Sequence, residues 1–343
     1  MWKSLKLIKD NFANILKSVL ISISTLIFGL VINRGFLPIG SIVGSEYEFI
    51  RSSSNFSTYG RLGHRLLTPF LSKIFPDIQS FNIFVLFLIL FFLNYKNLEK
   101  FELYPIFLFS LSISTTMSIL FTLNFVNYPD PMSIFIFLLL FFNFENKFLS
   151  LFLTFLLLIN NEVGLFLLPI LFLYFSPTIK RLTPLVVSIF LYLIYRSFIE
   201  SLVNNKSSSI NTYLEELYKL ELNFFIIFGF FTGLKFLFFI IYFSSIRLKI
   251  CAYLAFYLLI PMNMAVDYTR YSSLLISLIV VVIYKENLLS SKKVLFILHV
   301  IFLLNIITPK YYVWDADILY LRDSRIHFID LLGKSFLERG LIK

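Results

Sequence analysis

Between Tyr59 and Phe70 the chain reads YGRLGHRLLTPF, which places Arg61, His64 and Arg65 within about one and a half helical turns of one another. In a helix these three and Thr68 share one face, while Leu62, Leu66, Phe70 and Leu71 lie largely on the other. Two arginines and a protonated histidine grip a phosphate well, and they neutralise one as it leaves. Carboxylates, the complementary groups, are sparse and recur in short polar islands: Glu46 and Glu48 in GSEYEF, Asp130 in NYPDPM, Glu162 in INNEVG, and Asp267 with Arg270 in AVDYTRY. Lys235, inside FTGLKFLFF, is a second anion-site candidate or a snorkelling side chain. Together these types suit transfer of a phosphate-linked group: cations hold a prenyl phosphate or pyrophosphate, and a carboxylate takes the proton of a hydroxyl attacking a sugar carbon. Each has a plainer reading as well. The Arg61/His64/Arg65 face could anchor lipid headgroups, Asp130 could cap a helix beginning at Pro131, Asp267 and Arg270 could pair at i, i+3, and Glu46 and Glu48 could be loop charges.

The elements that must position these residues follow from composition. A chain of 343 residues that is 58% hydrophobic, with 44 Phe, 15% charge and a mean hydropathy of +0.85, has too little polar surface to clothe a water-soluble globule. Long apolar runs rather than alternating ten-residue strands predict an all-α bundle in a bilayer, because helices satisfy their own backbone groups there. The net charge of +10 shows no basic stripe interleaved with aromatics, so it reads as orientation charge and not as a nucleic-acid surface. The single cysteine, Cys251, excludes an internal disulfide and a cysteine-based metal cage, and its apolar setting predicts a packed thiol. No P-loop, no GxGxxG after a strand and no HExxH occurs.

Spans are expected near residues 15–33, 80–95, 103–125, 131–143, 148–160, 163–176, 183–200, 222–243, 249–264, 271–284 and 293–308. The first follows Lys3, Lys6, Lys9 and Lys17 and lacks a small-x-small cleavage site, so it is expected to persist as an anchor. The run from Lys147 to Phe175 would make a single helix of about 43 Å, too long for a hydrocarbon core of about 30 Å. Two short passes turning at Asn160, Asn161 and Glu162 keep Lys180, Arg181, Arg247, Lys249, Lys285, Lys292 and Lys293 on the same side as the N-terminal lysines. The positive-inside rule prefers this arrangement. It gives about eleven helices, two of them short, a cytoplasmic N-terminus and a first external loop over 34–79 with an interfacial helix. Residues 309–343 then form an external tail, with Tyr311, Tyr312 and Trp314 at the membrane edge and an amphipathic helix near 324–338. In this topology every polar island named above sits in or beside an external turn.

That layout resembles the GT-C class of integral-membrane glycosyltransferases. The resemblance runs over most of residues 1–310 and rests on one anchor span, a charged external loop with interfacial helices, NYPDPMSIFIFLLLFF, LLLINNEVGLFLLPILFL and a late DYTRY. It implies a sugar carried on polyprenyl phosphate, a glycan or lipid acceptor, and a site at the external face of a bacterial inner membrane serving cell-envelope polysaccharide synthesis. It also implies an acidic residue in the first external loop as base or metal partner and often one in the second. Asp130 matches the second. In the first, Asp is absent until Asp77, leaving Glu46 or Glu48. A divalent cation such as Mg or Mn is compatible with this pattern, with Asp130 as the candidate ligand. Two other functions fit the same composition. One is an O-antigen or capsule repeat-unit polymerase, against which the arginine-free stretch 201–221 counts. The other is a lipid-linked glycan flippase or transporter, against which the lack of a second interrupted segment counts.

Overall fold

The computed structural model describes residues 2–32, 42–53, 65–116, 130–202, 236–259, 274–307, 310–314 and 317–321. This part is helical apart from one hairpin. Its helices are α1 (Trp2–Ile32), α2 (Ile42–Ser52), α3 (Leu67–Leu71), α4 (Ile78–Leu98), α5 (Leu103–Ser114), α6 (Asp130–Phe142), α7 (Lys147–Asn160), α8 (Ile179–Leu202), α9 (Phe236–Phe243), α10 (Arg247–Leu259), α11 (Ile276–Lys285) and α12 (Lys292–Ile307). A 3-10 helix, Glu162–Leu173, lies between α7 and α8. Among the described residues three helices, within Asn11–Leu30, Ile78–Leu98 and Ile179–Ile199, are long and apolar enough to cross a membrane; the other elements in the expected spans are shorter.

The packing is inside out relative to a water-soluble bundle. On α1, Ser18, Ser22 and Thr25 are fully buried, whereas Phe12, Leu16, Leu20 and Ile27 are exposed. The hydroxyls are satisfied by carbonyls one turn back: Ser22 donates to Ser18 O at 2.6 Å and Thr25 to Ile21 O at 2.8 Å. Small polar side chains let helices approach where lipid tails remove the hydrophobic drive for association, and they bond across the gap. Asn94 of α4 donates to Ser22 of α1 at 2.9 Å and accepts from Ser110 of α5. Asn305 of α12 donates to Ser112 O of α5 at 3.1 Å. At Gly29 the approach is closest, since a Cβ there would lie 2.6 Å from the carbonyl oxygen of Ser114. Gly29→Ala is therefore expected to lower stability by about 1–3 kcal/mol by forcing two backbones apart. Thermal unfolding in detergent reads this, and an unchanged midpoint would mean α1 is not seated on α5 in this way. Cys251, expected to be packed, is exposed on α10. It shares an exposed face with Leu248, Ala252 and Ala255, while Ile250, Tyr253, Leu254 and Tyr257 on the other face are buried.

The long apolar run folds back on itself. Asn161 is extended at φ −165° and ψ 119°, which ends α7 and starts the 3-10 helix in the reverse direction. Leu157 packs on Gly164 at the turn, and Phe144, just before α7, stacks with Phe172 and Phe175 at the far end, with centroids 6.2 and 5.0 Å apart. At about 1.5 and 2.0 Å per residue, α7 and the 3-10 helix are each roughly 21–24 Å long.

The hairpin ends are marked by different chemistry. The turns after α4, α6, α9 and α11 and after the 3-10 helix gather at one end, where Tyr284 meets Phe142 at 4.7 Å, Phe141 meets Phe175 at 5.5 Å, and Ser245 N donates to Glu286 at 2.9 Å. This end carries Lys96, Lys100, Lys147, Lys180, Arg181, Arg247, Lys249, Lys285, Lys292 and Lys293. The opposite end receives α2, α3, the start of α4, the start of α6, the Asn160–Glu162 turn and the end of α8. There Tyr47, Ile50, Ile78 and Ile199 form a small apolar cluster with Leu66 and Tyr195. Tyr311, Tyr312 and Trp314 lie on strand β1 (Lys310–Trp314), which pairs antiparallel with β2 (Asp317–Leu321), Tyr311 opposite Tyr320. The helix expected near 324–338 lies outside the described residues.

Candidate functional site

The α7 break is held open by its own asparagines. Asn160 and Asn161 are fully buried, where each amide needs partners; both find them on α6, and Asn160 also reaches α3. Asn160 donates to Ser133 Oγ of α6 at 2.9 Å and accepts from Thr68 Oγ1 of α3 at 2.6 Å. Asn161 donates to Asp130 Oδ1, at the start of α6, at 3.1 Å, and its own Oδ1 accepts from Val163 N at 3.3 Å. Asp130 is 1% exposed, and its position in the first turn of α6 sets its charge against the positive end of the helix.

Glu162, next along the turn, takes Arg65 in a two-pronged grip: Arg65 Nε donates to Oε2 at 2.7 Å and Nη2 to Oε1. Arg65 Nη1 donates to the Tyr47 hydroxyl of α2 at 3.1 Å. Burial opposes the Arg65 charge, but the Glu162 carboxylate, with Tyr47, more than offsets it and raises the guanidinium pKa. Of five N–H donors on a guanidinium, three are engaged here, which leaves two for another acceptor. Glu162 side-chain exposure is 28%, so the pair opens to the outside of the bundle.

Of the expected site residues, the structure brings Arg65, Asp130 and Glu162 to one end of the bundle through the Asn160–Asn161 turn. Glu48 lies on α2 but is spent locally: it pairs with Arg51 one turn on. Arg51 in turn donates to the carbonyls of Ser72, Phe75 and Pro76, tying α2 to the turn that precedes α4. Glu46 lies on the same helix, and its side chain is outside the described part. Arg61, His64, Lys235, Asp267 and Arg270 also lie outside the described residues.

Arg65 is largely buried and Thr68 fully buried, whereas Phe70 is 67% exposed, so the polar side of this segment meets the bundle and its apolar side faces away from it. The reason is partner supply, since Asn160 and Glu162 wait at the bundle end and draw the polar face inward. Tyr47, Ser133 and Asn161 were not singled out for a site role, although the doubled Asn at a break in an apolar run was a readable sign of buried hydrogen bonding.

Among the described residues no three His, Cys, Asp or Glu side chains come together as a metal site requires. Glu162 is held by Arg65, and Asp130 accepts from the Asn161 amide at the start of a helix, so these carboxylates do not form a cation-binding set. No protein-family model, curated protein or solved structure matches the chain.

Proposed function

We propose that the chain is a multi-span membrane glycosyltransferase of GT-C-like architecture, with about eleven helices crossing or entering the bilayer, the cation-rich end in the cytoplasm and the Asp130 end outside. The observation that carries this reading is a buried carboxylate, Asp130, fixed by the asparagine that adjoins an externally open arginine–glutamate pair, at the end of the bundle remote from the lysines.

In this reading the donor is a sugar on polyprenyl phosphate and the acceptor is a glycan or lipid hydroxyl. Asp130 accepts the hydroxyl proton as the acceptor oxygen bonds to the anomeric carbon and the bond from that carbon to the phosphate oxygen breaks. Arg65 meets the departing phosphate with its two remaining N–H groups, and Glu162 fixes the guanidinium plane so that those donors point one way. Burial keeps water, the competing acceptor, from the base. The exposed apolar face of α8, with Phe190, Leu193, Ile194 and Phe198, provides a surface for the prenyl tail beside the site.

Two measurements test the reading separately. A reporter fused after Lys180 is expected to report the cytoplasm; an external signal there would contradict the proposed sidedness. Cells lacking the chain are expected to accumulate the polyprenyl-phosphate sugar, and an unchanged donor pool would contradict the transferase assignment.

A further inference from the structure

At the end opposite Asp130, rings from three turns, after α6, after the 3-10 helix and after α11, form a connected floor. Tyr284 lies edge-on to Phe142 with centroids 4.7 Å apart, Phe142 to Phe141 at 5.4 Å, and Phe141 to Phe175 at 5.5 Å. Three cations stack on it. Lys100 Nζ is 3.8 Å from the Tyr284 centroid, Lys285 Nζ is 4.8 Å from Phe175 and 5.3 Å from Phe141, and Arg181 is 5.6 Å from Phe175. Arg181 is neutralised by Glu145 at 2.6 Å.

The two lysines are not neutralised among the described residues. Lys100 donates to the Tyr284 carbonyl at 3.2 Å and to Asn287 Oδ1 at 3.3 Å, while the contacts of Lys285 are with rings. The nearby acids are otherwise engaged: Glu99 pairs with Lys96 at 3.0 Å, and Glu286 accepts from Ser245 N and Oγ at 2.9 and 3.0 Å. Two like charges are thus held on one aromatic surface with neither in an ion pair among the described residues. Consistent with that crowding, desolvation and then the charge of Lys285 lower the Lys100 pKa, more than Glu99 raises it. An anion between them relieves the repulsion and completes the floor.

We propose that Lys100 and Lys285, on the Tyr284–Phe142–Phe141–Phe175 floor, form a binding site for the phosphate headgroup of an anionic phospholipid. A lipid fits better than free phosphate because the floor lies where apolar helices end, so acyl chains can continue down the exposed flank of the bundle while the phosphate stays with the lysines. The inference does not depend on the transferase reading, because it uses the other end of the molecule.

The test is native mass spectrometry of the full chain in detergent, titrated with phosphatidylglycerol, with phosphatidylcholine and with inorganic phosphate. Phosphatidylglycerol is expected to bind about tenfold or more tightly than phosphatidylcholine. Lys100→Gln with Lys285→Gln is expected to weaken it roughly thirtyfold, from two surface lysines. Lys100→Arg with Lys285→Arg should retain binding, and added salt should weaken it in the unaltered chain. Equal binding of the two lipids, full retention in the glutamine pair, or equal occupancy by inorganic phosphate would each overturn the proposal. If the glutamine pair fails to fold, the salt dependence of the unaltered chain decides: a salt-insensitive preference overturns it.

Discussion

Asp130→Asn is expected to lower sugar transfer by about a hundredfold to ten-thousandfold while the protein still inserts and folds. The substitution removes a proton acceptor while keeping the side chain's shape. An asparagine has nearly the same shape, and its carbonyl oxygen can still accept the 3.1 Å bond from Asn161 Nδ2. Asn opens a helix almost as well as Asp, so the start of α6 is preserved apart from the favourable charge at its positive end, worth about 0.3–1 kcal/mol. The measurement is turnover of the lipid-linked donor in membranes containing equal amounts of each variant. Near-normal turnover by a correctly inserted Asn variant would return Asp130 to the role of a helix start. Asp130→Ala is the less informative change, because it would leave the fully buried Asn161 amide without its partner and mix folding loss with loss of chemistry.

The second large effect concerns the Arg65–Glu162 pair. Removing either partner alone strands a largely buried charge, with Arg65 12% and Glu162 28% exposed at the side chain. Glu162→Gln is expected to cost about 2–4 kcal/mol, toward or below the lower range for a buried pair because one partner reaches solvent. Replacing both, Arg65→Met with Glu162→Leu, is expected to restore most of that stability, since no unpaired charge remains. Transfer should not recover with it. The double variant lacks the N–H donors that meet the departing phosphate, and a loss of about a hundredfold or more is expected. Stability is read by unfolding in detergent and activity by donor turnover. A double variant that is both stable and active would make the pair a structural bridge between α3 and the α7 turn and nothing more.

The placement of these residues was only partly legible from sequence. The reversal at Asn160–Glu162 could be read because Lys147–Phe175 is too long for one pass and because the flanking lysines choose a side. The form of the return limb could not. A 3-10 helix of 12 residues is unusual, and in EVGLFLLPILFL only Gly164 and Pro169 disfavour an ordinary α-helix, which does not specify a 3-10 helix. Which side of the Arg65–Phe70 segment meets protein was not legible, because helical periodicity separates polar from apolar sides and says nothing of what each side meets. In a bundle whose exposed surface is apolar, the polar side turns in. The same inversion exposes Cys251. The Asn161–Asp130 bond, spanning 31 residues, was beyond any local pattern, and Tyr47 was hidden among apolar neighbours until its hydroxyl was seen against Arg65.

The most direct test of a transferase centred on Asp130 is the mass profile of surface glycans and glycolipids from a strain lacking the chain, complemented with the unaltered gene or with Asp130→Asn. The expected result is that the deletion and the asparagine strain both stop at an intermediate short of one sugar, and that the unaltered gene restores the full product. A complete repeat unit that fails to lengthen would instead assign a polymerase, and a profile unchanged by deletion would contradict sugar transfer altogether.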